Sequence, residues 1–168
     1  MIKYMYFPKT KQLDSVSDKI VKTFEAVSDK IDSVNHQLKS NEVLAVVRLK
    51  LEEIGFSVEK SKQAEDKIHV PVLFGLNGKV EKAFEADAYY PTEKYIVEVE
   101  AGRGVTNYQF LKDFFEACAM YEVEYLCIAV RNIYRNNNDF DKVCLFFDTF
   151  YQSNRINIPL NGLLIVGY

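Results

Sequence analysis

The chain has 168 residues, 48% of them hydrophobic and 14% aromatic, enough for one compact domain with a sizeable core and an appended helix, but too few for a second full domain. A formal net charge of -3 and a pI near 5.5 give no global attraction for phosphate, so any nucleic-acid contact must come from a local basic surface. No apolar run approaches the roughly 20 residues that span a bilayer, and Met1 to Pro8 lacks a signal-peptide pattern, so the expectation is a soluble cytoplasmic protein with no membrane partner.

Leu13, Val16, Ile20, Phe24, Val27, Ile31, Val34 and Leu38 recur at helical spacing and predict one long helix from about Lys11 to Leu38. Within it, Val16 to Ile20 returns as Val27 to Ile31 eleven residues later, a period that favours straight packing over a heptad coil. Such a stripe lies either on its own domain or against a second copy, which makes this helix the candidate homodimer contact. On this reading residues 1–40 are an N-terminal helical extension and residues 41–168 the main domain.

A second helix follows, capped at Ser40 or Asn41, with Val43, Leu44, Val47, Leu51 and Ile54 as its buried stripe and Gly55 as its stop. Phe56 to Ser61 reads as a strand. Ile68 to Phe74 reads as an edge strand at best because of Pro71, and Gly75 and Gly78 bracket a turn. Lys82 to Tyr90 and Tyr95 to Glu100 read as two strands joined by a turn at Pro91 to Lys94. Thr106 begins a helix to about Tyr121, with Thr106 and Gln109 as a capping box. Glu124 to Val130 is the apolar run of a buried strand, the Asn-rich stretch after it is a loop, and a helix from about Asp139 to Tyr151 leads to a last strand at Leu163 to Gly167. Cys118, Cys127 and Cys144 are odd in number, show no Cys-x-x-Cys spacing and read as reduced core thiols, which sets zinc aside.

The chemistry concentrates on the central strands. If Tyr90 pairs with Tyr95, Asp87 lies across from Glu98 and Glu85 across from Glu100, with all four carboxylates on one face. Ala86, Ala88, Tyr90, Tyr95, Val97 and Val99 then form the opposite, buried face. This depends on loop parity: a loop of two or four residues keeps the acids together, and three or five would separate them. The same acids also suit a solvated edge hairpin balanced by Lys79, Lys82 and Lys94.

From Asn41 to about Val130 the chain resembles the PD-(D/E)XK nuclease superfamily, whose members carry an Asp at the end of one strand and an acid-x-Lys triplet on the next. Asp87 matches the first position and Glu98-Val99-Glu100 the triplet, with Glu100 where lysine is usual. A Glu-x-Glu triplet followed by x-Gly is similar to the BamHI-type branch of restriction endonucleases. That branch also draws a carboxylate from the preceding helix, here Glu42, although an acid in a first helical turn is favoured by the dipole anyway.

The resemblance implies an α/β fold with a restriction-endonuclease-like mixed, mostly antiparallel central sheet flanked by helices. It further implies a Mg²⁺-dependent DNA endonuclease, with Mn²⁺ able to substitute, and catalytic residues Asp87, Glu98, Glu100 and Glu42. Asp87, Glu98 and the Val99 carbonyl form the expected metal shell, since Mg²⁺ takes hard oxygen ligands and keeps open positions for phosphate. Glu100 would hold a second metal or orient the attacking water. Arg103 and Asn107 beyond the triplet, and Arg131 and Arg135 in the Asn-rich loop, are the candidate nucleic-acid contacts, although both segments also suit ordinary surface loops. The alternative is a non-catalytic module that keeps the fold and binds nucleic acid or a protein partner.

Overall fold

The computed structural model describes residues 1–168 and is a mixed α/β fold built on one six-stranded sheet. The sheet order is β1 (Lys3–Phe7), β10 (Gly162–Gly167), β7 (Tyr125–Val130), β6 (Tyr95–Val99), β5 (Ala88–Tyr90) and β2 (Ser57–Val58). The β10–β7 and β7–β6 pairs at its centre are parallel, and β1, β5 and β2 join antiparallel at its flanks. Leu126 to Val130 and the whole of β10 are buried, as expected of strands covered on both faces.

Helices α1 (Ser15–Glu25), α2 (Ser28–Ile31) and α3 (Ser40–Glu53) cover one face, packing Ile20, Phe24, Val43, Val47 and Leu51 on Tyr95, Val97, Cys127 and Val166. Helices α4 (Gln109–Ala119) and α5 (Asp139–Ser153) cover the other, packing Phe110, Phe114 and Phe147 on Ile96, Leu126, Ile128 and Ile165. Outside the main sheet, β3 (Ile68–Phe74) and β4 (Val80–Ala86) form a separate two-stranded hairpin, with a register shift after Pro71. A second small hairpin joins β8 (Ile133–Tyr134) and β9 (Asn137–Asn138) within the Asn-rich stretch.

The expected long N-terminal helix is broken. It begins at Asp14, whose Oδ1 accepts from the N–H groups of Val16 and Ser17 at 3.0 and 2.8 Å, and α1 ends at Glu25. Val27 is non-helical, α2 is a single turn, and the chain leaves helical structure before Val34, which is exposed. The break lets Val16, Ile20, Phe24, Val27 and Ile31 all reach one core. That stripe is consumed inside the chain and offers no face to a second copy. Residues 1–40 are likewise no mere appendage, because β1 pairs along its length with β10 and Ser17 Oγ lies 2.7 Å from the buried Tyr95 hydroxyl.

Two further expectations are corrected. The strand expected from Lys82 to Tyr90 breaks at Asp87: β4 turns aside to pair with β3, and only β5 continues along β6. Ala86 therefore packs on the α4–α5 side of the sheet, opposite to Ala88. The Thr106 capping box is not formed either. Helix α4 starts at Gln109, after a left-handed Tyr108, and the Gln109 N–H donates to the Gly104 carbonyl at 2.7 Å.

Candidate active site

The turn from Pro91 to Lys94 has the required parity, with Tyr90 opposite Tyr95 and Ala88 opposite Val97, which sets Asp87 across from Glu98. Asp87 is fixed from two sides. Its Oδ2 accepts from the Val99 N–H at 2.8 Å, and its carbonyl accepts from the Glu59 N–H at 2.8 Å. Glu98 follows Ile96 on the face beneath α4, and its strand partner on β7 is Ile128, so its carboxyl sits against an apolar layer.

Glu100 leaves the end of β6 on the same face, anchored by its N–H to the Ala129 carbonyl at 2.8 Å and by the Tyr168 hydroxyl on its own carbonyl at 2.7 Å. The loop that follows closes over it: a Cβ on Gly104 would stand 2.1 Å from Glu100 Oε2. Opposite lies Asp113 of α4, only 8% exposed, on the same stripe as the core residues Phe110, Phe114 and Ala117. These four carboxylates line one cleft of about 440 Å³, together with Gln109 and Lys112.

Their electrostatics follow from burial without a direct ion pair, and Lys67 and Lys112 on the cleft wall offset that burial only in part. The chain's eight ion pairs use other groups, including Lys67 with Glu59 and Glu85, Lys94 with Glu124, and Lys112 with Glu116. Loss of water raises all four carboxyls. Asp87 rises to about 7, mainly through burial, while the Val99 hydrogen bond opposes the shift. Glu98 is pushed well above the usual carboxylate range, first by burial and then by the charge of Asp87. Glu100 rises to about 9, through burial and then its hydrogen bond and charge contact with Asp113. Asp113 is raised by burial, while its hydrogen bond with Glu100 pulls it back.

The cleft thus holds its protons more tightly than an exposed acidic surface would. No three His, Cys, Asp or Glu side chains stand in a closed coordination set, so a bound cation would require side-chain rotation to draw the carboxylates inward. The donor set itself fits a hard cation, since every acidic ligand is an oxygen and one buried oxygen, Asp113 Oδ2, has no hydrogen-bond partner.

Of the residues expected at the site, Asp87, Glu98 and Glu100 come together and Val99 joins them through its N–H. Glu42 does not. It is exposed and its Oε2 accepts the Lys39 N–H at 2.6 Å, so it caps α3 instead of entering the cleft. Glu85 leaves with β4, lies opposite His69 and lines the cleft already paired with Lys67 at 3.1 Å. Arg103 and Asn107 lie exposed in the loop between Glu100 and α4, outside the cleft wall.

Arg131 is buried, donates to the Leu38 carbonyl and lies 5.1 Å from the Tyr134 ring centroid, so it braces the fold and is not free to meet phosphate. Arg135 is exposed and stacks on the same ring from 5.4 Å, also away from the cleft. Gln109, expected as a cap partner, lines the cleft instead. Asp113 was not anticipated from sequence. The available signal was an acid on the apolar stripe of its helix, at a position that packing would give to a hydrophobe.

No helix is long and apolar enough to cross a membrane. No protein-family model matches the chain, and no curated protein does. Among solved structures, the chain is similar to that of free BglII, with 11% sequence identity over 99% of this chain and 78% of that chain and a TM-score of 0.47.

Proposed function

We propose that the chain is a Mg²⁺-dependent DNA endonuclease of restriction-enzyme type, similar in its Glu-x-Glu triplet to the BamHI-type branch of the PD-(D/E)XK superfamily. The observation that carries this reading is the set of four carboxylates, Asp87, Glu98, Glu100 and Asp113, in one cleft with no basic partner. Uncompensated buried charge is costly and is retained where a ligand supplies the compensation. Asp87, Glu98 and the Val99 carbonyl would hold the cation, with Mn²⁺ able to replace Mg²⁺. When bound, the ion supplies Lewis-acid stabilisation of charge on the phosphate and the leaving oxygen.

The protein's own groups provide the rest. The Val99 N–H holds Oδ2 of Asp87, which leaves its second carboxylate oxygen for the cation. With its carboxyl pushed up to about 9, Glu100 is protonated at neutral pH unless a cation stands beside it; next to a bound cation the carboxylate form is favoured and can accept a proton from an attacking water. Lys62, Lys82 and Lys112 stand on the same cleft wall and give a polyanion local attraction that the net charge of the chain does not.

Supercoiled plasmid incubated with the protein in Mg²⁺ or Mn²⁺ tests this directly. Nicked and linear products are expected with the wild type, with a loss of at least about 100-fold in Asp87→Ala. Equal cleavage by both would mean that the activity is not from this cleft. No cleavage across metals, salts and substrates, with nucleic-acid binding retained, would assign the cleft to a binding module of the same fold.

A further inference from the structure

We propose that the tip of the β3–β4 hairpin is a minor-groove wedge, and that Leu76 inserts between base pairs of the duplex whose phosphate occupies the carboxylate cleft. The inference rests on the endonuclease reading above and adds to it a contact that the acidic site does not contain.

Four exposed large hydrophobic side chains, Leu73, Phe74, Leu76 and Val80, fall within eight residues at this tip. Leu76 is 85% exposed and belongs to neither core cluster. It is nevertheless held in a defined turn. The Gly75 N–H donates to the Lys79 carbonyl at 2.8 Å and the Gly78 N–H to the Gly75 carbonyl at 3.0 Å, with Asn77 and Gly78 both at positive φ. A closed turn that keeps a leucine in water, beside three further exposed apolar side chains, marks a contact surface.

The composition of the turn suits DNA. Leu76 is followed by Asn77, whose amide can donate to the acceptors that line a minor groove, by Gly78, where an added Cβ would meet nothing within 4 Å, and by Lys79. Lys79 and Lys82, with Lys62 on the cleft wall, enter none of the chain's eight ion pairs and keep their charge for phosphates. The acid of the tip, Glu81, is folded against Gly75, where an added Cβ would collide with its Oε1. Strand β4 joins the tip to the cleft, since Lys82 to Asp87 line the cleft wall. At about 3.3 Å per residue, Lys79 stands at most roughly 26 Å along the chain from Asp87, the length of about eight base pairs, so one duplex can reach both. Charge and continuity with the cleft favour nucleic acid over a second copy of the chain as the occupant.

The chain contains no tryptophan, so Leu76→Trp carries a single indole as reporter, and Leu145→Trp, on the exposed side of α5, serves as its control. Each is titrated with sonicated mixed-sequence duplex DNA in Ca²⁺ at low salt, and acrylamide quenching is measured before and after. In Leu76→Trp, DNA should quench the indole by stacking and lower its acrylamide accessibility at least about threefold, while Leu145→Trp changes little. In gel retardation, Leu76→Ala should bind the same duplex about tenfold more weakly than the wild type, with an unaltered thermal melt because the side chain lies outside the core. An indole as accessible on DNA as off it, or wild-type affinity in Leu76→Ala, overturns the wedge while the endonuclease reading stands. Protection that rises with protein concentration in the absence of DNA assigns the tip to a second copy and also overturns it. No retardation by the wild type at any salt overturns both.

Discussion

Glu100 matters to the chemistry of the cleft because its proton affinity differs widely between the folded and unfolded chain. Its carboxyl rises to about 9 in the fold, and Asp87 rises to about 7, against ordinary values of 4.5 and 3.8. A raised carboxyl contributes its stability below the unfolded value and loses it as pH climbs through the folded one. Without divalent cations, thermal stability should therefore fall from about pH 5 to about pH 9, and Glu100→Gln should flatten that fall. Saturating Mg²⁺ should restore the wild type at the alkaline end, where the carboxylates are free to bind it. Melting curves in chelator and in Mg²⁺ check this; parallel pH profiles for wild type and Glu100→Gln would show that Glu100 is not held in this state. At this scale the sequence disclosed Asp87 and the Glu98-Val99-Glu100 triplet, because strand alternation and turn length place them together. Asp113 was hidden because nothing local ties a single acid on a helix to a strand end thirteen residues earlier.

Among the elements, those set by local pattern were legible: α3 and its stop at Gly55, the buried strand β7, helix α5 and the last strand β10. Helical periodicity also identified Ile20, Phe24, Val27 and Ile31 as apolar-face residues, but periodicity persists through a break if both pieces pack on the same surface. Strand β1 was missed because its partner β10 lies at the other end of the chain, and short segments gain strand structure from such pairing. The departure of β4 at Asp87 has the same origin, a competing pairing with β3 that alternation cannot reveal. It also pairs Glu85 with Lys67 on the cleft wall and leaves Asp87 at the point where the two strands diverge. Since α1 is core and not an extension, Ile20→Ala should destabilise the whole fold by about 2–5 kcal/mol in denaturant unfolding, as a single transition. A loss below about 1 kcal/mol, or separate melting of residues 1–40, would return the helix to the status of an appendage.

Over the whole molecule, two helical layers enclose a sheet whose apolar faces are continuous except where β6 ends. There the α4 side admits Glu98, Glu100 and Asp113 into surroundings otherwise built from Ile96, Ile128 and Phe114, and the neighbouring strand adds Asp87. The fold holds these charges close together through hydrogen bonds and packing, with lysines on the rim and none paired to the four acids. Such an arrangement is expected of a site completed by a cation and a phosphate. Anomalous scattering from crystals grown or soaked in Mn²⁺ tests that claim most directly. A peak is expected at about 2.0–2.3 Å from carboxylate oxygens of both Asp87 and Glu98. At saturating Mn²⁺, a cleft without a peak, its carboxyls still facing one another, would contradict it.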